Sequence, residues 1–299
     1  MLSNPPVAPD NSQKLASSGF MIIRYQQPSG YIPEPDMIAS EAPLEIRLTS
    51  DHSLKPDTTT ALTVTMRTPG DDLSLVTGFL FTENLIDHFK DIKTYKFCGR
   101  PAPHGTDPVA ILCLNRLPTA DDTQIRRNFV SHGGCGLCGK ASLESISINQ
   151  LSRLPAQELK FPTDLSILLP EILGQMRRNQ KLFRQTGGLH GSAIFSRCGD
   201  ILCLKEDIGR HNALDKTIGW MLAHYPEELP TGILLLSGRV SWELMQKAIR
   251  AQIPCVIAVG APSSMAVEMA RYFNVSLIGF AKPESFNIYH NNGYILEAR

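Results

Sequence analysis

The sequence predicts an α/β protein with a smaller α+β portion on its N-terminal side, and three observations predict it. Beyond residue 230, the short apolar stretches GILLLS (232–237), PCVIAV (254–259) and VSLIGF (275–280) alternate with helix-spaced segments at 242–252 and 265–273. Strands that are apolar at nearly every position are buried on both faces, the signature of parallel strands joined by right-handed helical crossovers. Before residue 100 the pattern changes every few residues instead, as in a mixed α+β unit. A chain of 299 residues, 42% of them hydrophobic, can bury one large core or two moderate ones without a staple.

In chain order, residues 1–19 are rich in Pro, Ser and Asn and read as a disordered tail. FMIIRY, PLEIRL and ALTVTM read as short strands, and 73–85 as a helix after the TPGDD turn. A strand at 109–114 comes next. The first domain is expected over 20–145, ending in a glycine-flanked loop, and an α/β domain over 146–299. Pro170 is expected to open a helix reaching 185, with Ile172, Met176 and Phe183 on one face and Gly187-Gly188 at its end. A hairpin follows, 192–196 and 201–205, turning through Arg197-Cys198-Gly199-Asp200. Asn212 is expected to cap a helix whose stripe is Leu214, Ile218, Met221 and Leu222, stopped by Pro226.

Twenty-nine basic and twenty-nine acidic residues cancel, so no net field draws the molecule to nucleic acid or an anionic membrane. No basic segment followed by an apolar stretch opens the chain, and no apolar run reaches the length of a membrane span. A cytoplasmic protein is expected, and its odd count of seven cysteines points to buried, metal-bound or reactive thiols, not a disulfide framework.

Two of those thiols, Cys135 and Cys138, lie in HGGCGLCGK (132–140), with His132, Lys140, Arg126 and Arg127 close in sequence. Nearby cations lower a thiol's pKa from about 8.5 and so make the attacking thiolate. The glycines strip side-chain cover and free the backbone, as a carrier moving a small group between two sites requires. A second thiol can release what the first one carries. Three alternatives stay open: half of a structural zinc site completed by Cys198 and Cys203 or by His132 and His190, a thioredoxin-type pair, or a loop with two ordinary thiols. Cys98, Cys113 and Cys255 sit in or beside apolar strands and are expected in the core. A zinc deaminase is excluded, because His190-Gly191-Ser192 lacks the glutamate of its HxE signature and no PCxxC follows.

Three loops are expected at carboxyl ends of the parallel strands, where open α/β sheets bind ligands: 237–241, 260–264 and 280–285. The first two lead into helix N-termini, which favour phosphate, and Arg239 and Lys282 add charge. EDIGRHNALDK (206–216) concentrates Glu206, Asp207, Arg210, His211 and Asp215 ahead of a helix, either as a ligand-orienting network or as a satisfied cap. His190 follows a tight glycine turn.

The stretches TPGDDLSLVTGFLFTENLI, RRNFVSHGGCGLCGK, TGGLHGSAIF, EDIGRHNALDK, SGRVSWELMQKA and IGFAKPESFNIY, in this order, resemble the FdhD family of sulfurtransferases required for formate dehydrogenase activity. The resemblance spans roughly residues 40–295 and implies a cytidine-deaminase-like α/β/α core without deaminase chemistry. It implies that Cys135 takes sulfur from a cysteine desulfurase of the IscS type as a persulfide and passes it to the molybdenum cofactor, bis-molybdopterin guanine dinucleotide, before insertion into the formate dehydrogenase catalytic subunit. Cys138 matches the second thiol. Phe280, Ala281, Lys282, Pro283, Glu284 and Ser285 match the cofactor-contacting segment, with Arg239, His190, Arg210 and His211 as further contacts, and no metal ligand is expected. Glu284-Ser285 stands where relatives often carry Gly-Arg, which leaves Lys282 as the main charge there. A homodimer is also implied. A cofactor-binding chaperone without sulfur chemistry, or a zinc-stabilised binding module, is the alternative.

Overall fold

The computed structural model describes residues 16–98, 109–117, 151–155 and 164–293. Its strands are β1 (Ser17–Gln26), β2 (Gly30–Ala39), β3 (Ala42–Thr49), β4 (Thr60–Arg67), β5 (Ile92–Cys98), β6 (Val109–Leu114), β7 (His190–Phe195), β8 (Ile201–Asp207), β9 (Ile233–Leu236), β10 (Cys255–Ala258), β11 (Ser276–Lys282) and β12 (Ser285–His290). The α-helices are α1 (Asp72–Thr82), α2 (Leu165–Asn179), α3 (Lys181–Thr186), α4 (Arg210–His224), α5 (Trp242–Arg250) and α6 (Ser264–Phe273). The mixed α/β class is as expected.

Six strands form the larger sheet in the order β12-β11-β10-β9-β7-β8. β9, β10 and β11 are parallel; β7 runs antiparallel to β8 and β9, and β12 antiparallel to β11. Alternate residues of these strands feed two cores. Ala193, Phe195, Ile233, Leu235, Cys255, Ile257 and Ile278 pack with Leu165, Leu169, Ile172 and Met176 of α2. Ile194, Leu234, Leu236, Val256, Ala258 and Leu277 join the apolar stripes of α4, α5 and α6. Buried on both faces, these strands had to be apolar throughout, which is why they were legible.

The second core does not stop at the sheet. It continues through Leu75, Val76 and Leu80 of α1 into Leu44, Ile46, Leu48 and Leu112 of the four-stranded sheet β4-β3-β6-β5. α1 and α4 approach until a Cβ on Gly78 would lie 1.9 Å from the Asp215 carbonyl oxygen, and one on Gly219 2.0 Å from that of Ser74. Only glycine permits that approach. The two halves thus share one hydrophobic core, and the expected boundary at 145/146 lies outside the described residues.

Several local expectations need correction. β1 opens at Ser17, inside the stretch read as tail. Asp164, not Pro170, starts α2: its side chain accepts from Ser166 N at 2.7 Å, and Pro170 sits inside the helix. Phe183 is exposed on the separate helix α3, which Gly187 ends at φ +67°. Gly209 is the N-cap of α4, while Asn212 lies within the helix and donates to Met66 O (2.8 Å) and Asp207 Oδ1 (3.2 Å). β2, β5 and β12 were not anticipated; two prolines in β2 disguise an edge strand.

Candidate functional site

The parallel strands end at a row of backbone turns stitched together by hydrogen bonds. Ser237 N donates to Gly191 O (3.0 Å), Gly260 N to Gly238 O (3.0 Å) and Phe280 N to Gly260 O (3.1 Å). The ladder therefore runs past the last strand residues and sets His190, Gly238-Arg239, Gly260 and Phe280 side by side. Two glycines make this possible. A Cβ on Gly260 would lie 2.8 Å from Gly238 O, and one on Gly238 would lie 3.2 Å from His190 Nδ1.

α4 and α5 aim their N-termini at the same edge. Arg210 and His211 open α4 and Glu243 lies in the first turn of α5, with His211 Nε2 3.8 Å from Glu243 Oε2. Glu243 is almost fully buried. Burial pushes its carboxyl up, but its own backbone N–H and the nearby His211 and Ser241, whose approach is longer than a normal hydrogen bond, outweigh that and hold it at about 2. Among the described residues, Glu243 Oε1, His211 Nε2 and Ser241 Oγ are buried without a hydrogen-bond partner. For His190, burial first and then Arg210, His211 and Arg239 lower the imidazole's pKa, against a smaller opposing pull from Asp207. The edge thus combines a neutral imidazole, guanidinium groups, helix N-termini and a buried carboxylate with open hydrogen-bonding capacity. The guanidinium groups and helix N-termini of this set can bind an anionic group, while the carboxylate can only accept hydrogen bonds.

The structure splits the 206–216 segment by role. Glu206 accepts from Leu182 N and Phe183 N at the start of α3. Asp207 accepts from Thr68 N (3.1 Å) and Gly209 N (2.9 Å) and lies 2.7 Å from the Lys216 ammonium, which donates to Thr68 O (2.7 Å). Asp215 accepts from Lys247 and Thr82, all at 2.9 Å. These carboxylates are used by the architecture. Arg210 and His211, whose charges act on His190 at the strand edge, remain as candidate site residues.

The 280–285 segment, expected as a loop, is instead the turn of a β-hairpin and the strand ends beside it. Phe280 to Lys282 end β11, Ser285 opens β12, and Lys282 pairs with Ser285 across a tight turn. Phe280, exposed at φ +52°, borders the cluster. Ala281 is buried in the α2-side core, so its side chain serves packing. Lys282, Pro283, Glu284 and Ser285 form the exposed tip of the hairpin, beyond the last hydrogen bond to Gly260. Glu243 was missed by sequence reading; an acidic residue in the first turn of a helix reads as ordinary dipole complementation.

Cys135 and Cys138 lie outside the described residues. Cys113 and Cys255 are fully buried, as expected, whereas Cys98 is half-buried. Cys203 packs in the core with its thiol pushed up to about 12 by burial, a poor zinc ligand. No group of three or more His, Cys, Asp or Glu suited to a metal occurs among the described residues. No described helix is long and apolar enough to cross a membrane.

The FdhD/NarQ family model matches residues 39–296. Proteins named sulfur carrier protein FdhD are similar over most of their length. That of Mycobacterium tuberculosis is 40% identical over 274 residues, covering 89% of this chain and 94% of the relative. Those of Nocardia farcinica and Streptomyces coelicolor are 40% and 38% identical, covering 88% and 85% of this chain and 89% and 87% of theirs. A crystal structure described as a formate dehydrogenase accessory protein from Desulfotalea psychrophila shares the fold, with a TM-score of 0.69 at 20% identity over 94% of this chain and 100% of that one.

Proposed function

The chain belongs to the FdhD/NarQ family, and from that premise we propose that it is a sulfur carrier whose Cys135 moves sulfur from a cysteine desulfurase to the molybdenum cofactor of a formate dehydrogenase. The observation that carries this is the family match across 39–296, which includes both thiols, together with relatives near 40% identity that are named sulfur carriers.

The chemistry balances with the residues present. The Cys135 thiolate attacks the outer sulfur of the donor's persulfide; the donor S–S bond breaks, the donor leaves as thiolate, and Cys135 becomes a persulfide. Attack by Cys138 on the inner sulfur then forms a Cys135–Cys138 disulfide and expels hydrosulfide, the dithiol supplying the two electrons that reduce the carried sulfur. A cellular thiol reductant resets the pair, which suits a cytoplasmic setting. The acceptor is bis-molybdopterin guanine dinucleotide, an anionic substrate with phosphates to match Arg239, Arg210 and the N-termini of α4 and α5 at the strand edge, with Lys282 contributing from the hairpin tip.

Complementation of a strain lacking this activity tests the proposal, scored by formate oxidation. Wild type restores it and Cys135→Ala does not. Full restoration by Cys135→Ala, with loss in Arg239→Ala, would instead identify a cofactor-binding chaperone.

A further inference from the structure

We propose that a cavity at the C-terminal end of α6, lined by Arg153 and Arg271, binds the phosphate of a small molecule at a site separate from the strand edge. The inference does not rest on sulfur chemistry or on the acceptor site.

α6 runs away from the edge that carries the candidate site. Its N-cap, Ser263, follows the Gly260 turn, and its ten residues carry the chain roughly 15 Å to Phe273, toward the opposite ends of the strands. There the stretch 151–155 is laid across the helix end. Leu154 N donates to Phe273 O (2.9 Å), and Asn274 Nδ2 donates to Leu154 O and Pro155 O (both 3.3 Å). Leu154 is buried and Leu151 packs against the main core, which fixes the stretch as a wall. With α6 it encloses a cavity of about 410 Å³ lined by Leu151, Arg153, Arg271, Tyr272 and Phe273. That lies within the range of about 300–1,000 Å³ usual for small-molecule sites.

The charge around this cavity is one-sided. Among the described residues neither guanidinium makes an ion pair or a hydrogen bond, and Glu268, three residues before Arg271 on α6, does not pair with it. His290, the last residue of β12, adds an Nε2 that is buried without a hydrogen-bond partner among the described residues. Burial first, then Arg271 and Arg153, lower the pKa of its imidazole, so both guanidinium groups act on one ring. An arginine in the last turn of a helix ordinarily complements the dipole by meeting the terminal carbonyls. Here Asn274 N and Val275 N donate to Ala270 O and Leu154 N to Phe273 O, and the Arg271 guanidinium bonds to none of the carbonyls.

Two unpaired guanidinium groups around one cavity repel each other, and a dianion relieves that repulsion while accepting their forked N–H groups. A phosphate does both. Leu151 and the Tyr272 ring, 70% exposed and set edge-on against Phe273, offer an apolar face to a ring attached to that phosphate. Small organic phosphates and free phosphate share this chemistry.

Titration of the full chain with phenyl phosphate, inorganic phosphate and phenol, followed through the NMR resonances of the His290 imidazole, tests the proposal. Phenyl phosphate is expected to move them, inorganic phosphate to do so with about tenfold lower affinity, and phenol to leave them in place. The bound anion should also raise the His290 pKa, because it opposes the pull of the two guanidinium groups. Arg153→Gln combined with Arg271→Gln, both at exposed positions, should weaken the response to phenyl phosphate at least about tenfold, with melting temperature and sulfur loading unchanged. Arg239→Ala should leave the response at His290 intact, which separates this cavity from the strand edge. Equal affinity for the two phosphates supports the site and identifies free phosphate as its ligand. No response to either phosphate, an equal response in the double variant, or an equal response to phenol overturns the proposal.

Discussion

Two kinds of buried charge pair stand within the same few turns of α4 and α5, and their difference separates architecture from site. In Lys216–Asp207 and Lys247–Asp215 the ammonium and carboxylate approach to 2.7 and 2.9 Å, and further bonds to Thr68 and Thr82 use their remaining capacity. Burial works against the Lys247 charge, yet Asp215 and Glu83 outweigh it and raise its pKa. Glu243 and His211 stay 3.8 Å apart, each with a buried atom that no described residue satisfies. The first kind ties α1 and the Thr68 turn to the α/β body. The second leaves hydrogen-bonding capacity unused where the first turns of α4 and α5 meet.

The sharpest way to break that contrast is to remove one partner of a closed pair. Asp215→Ala strands the Lys247 ammonium in the core and should cost about 3–5 kcal/mol in denaturant unfolding, while the folded fraction still loads sulfur normally. A smaller loss would show that Thr82 and Glu83 satisfy the lysine by themselves. Gly219→Ala forces α1 away from α4 and should cost up to about 3 kcal/mol, again without a specific effect on sulfur loading.

The open pair predicts a pH signature. Glu243 is held at about 2 in the fold against 4.5 as its ordinary value, so its contribution is present above pH 4.5 and is lost as pH falls from 4.5 toward 2. Glu243→Gln should remove on the order of 3 kcal/mol of that acid dependence, seen as a flatter stability curve over that window. An unchanged acid limb would mean that the carboxylate is not stabilised by its neighbours. The smallest expected effect is at the rim: Arg239→Ala should weaken binding of guanosine diphosphate, a probe for the phosphates of the acceptor, about tenfold, or ~1.4 kcal/mol, without altering the melting temperature. Equal affinity would remove the strand edge from the account of acceptor binding.

Much of the fold was legible because its strands are buried on both faces. ILLL of β9 and CVIA of β10 have no polar position to obscure them. Elements that depend on distant partners were not. Asn212 looks like a cap, but its amide is recruited by Met66 O from another sheet. Pro170 looks like a helix start until Asp164 caps one turn earlier. At the site, Arg239, His190, Arg210 and His211 were readable as polar residues beside glycine turns. Glu243 was not, because only the tertiary approach of α4 to α5 makes an ordinary first-turn glutamate a partner of His211. For Cys135 and Cys138, spacing and glycines left a zinc half-site, a thioredoxin-type pair and ordinary thiols open beside a sulfur carrier, and only the resemblance of six stretches to one family singled out sulfur transfer.

The central claim is that sulfur travels on Cys135. Intact-mass analysis after incubation with a cysteine desulfurase and cysteine tests it most directly. The account predicts one additional sulfur atom on wild type, removed by reductant, mapping to Cys135 and missing from Cys135→Ala. The same adduct at the same level on Cys135→Ala would contradict it.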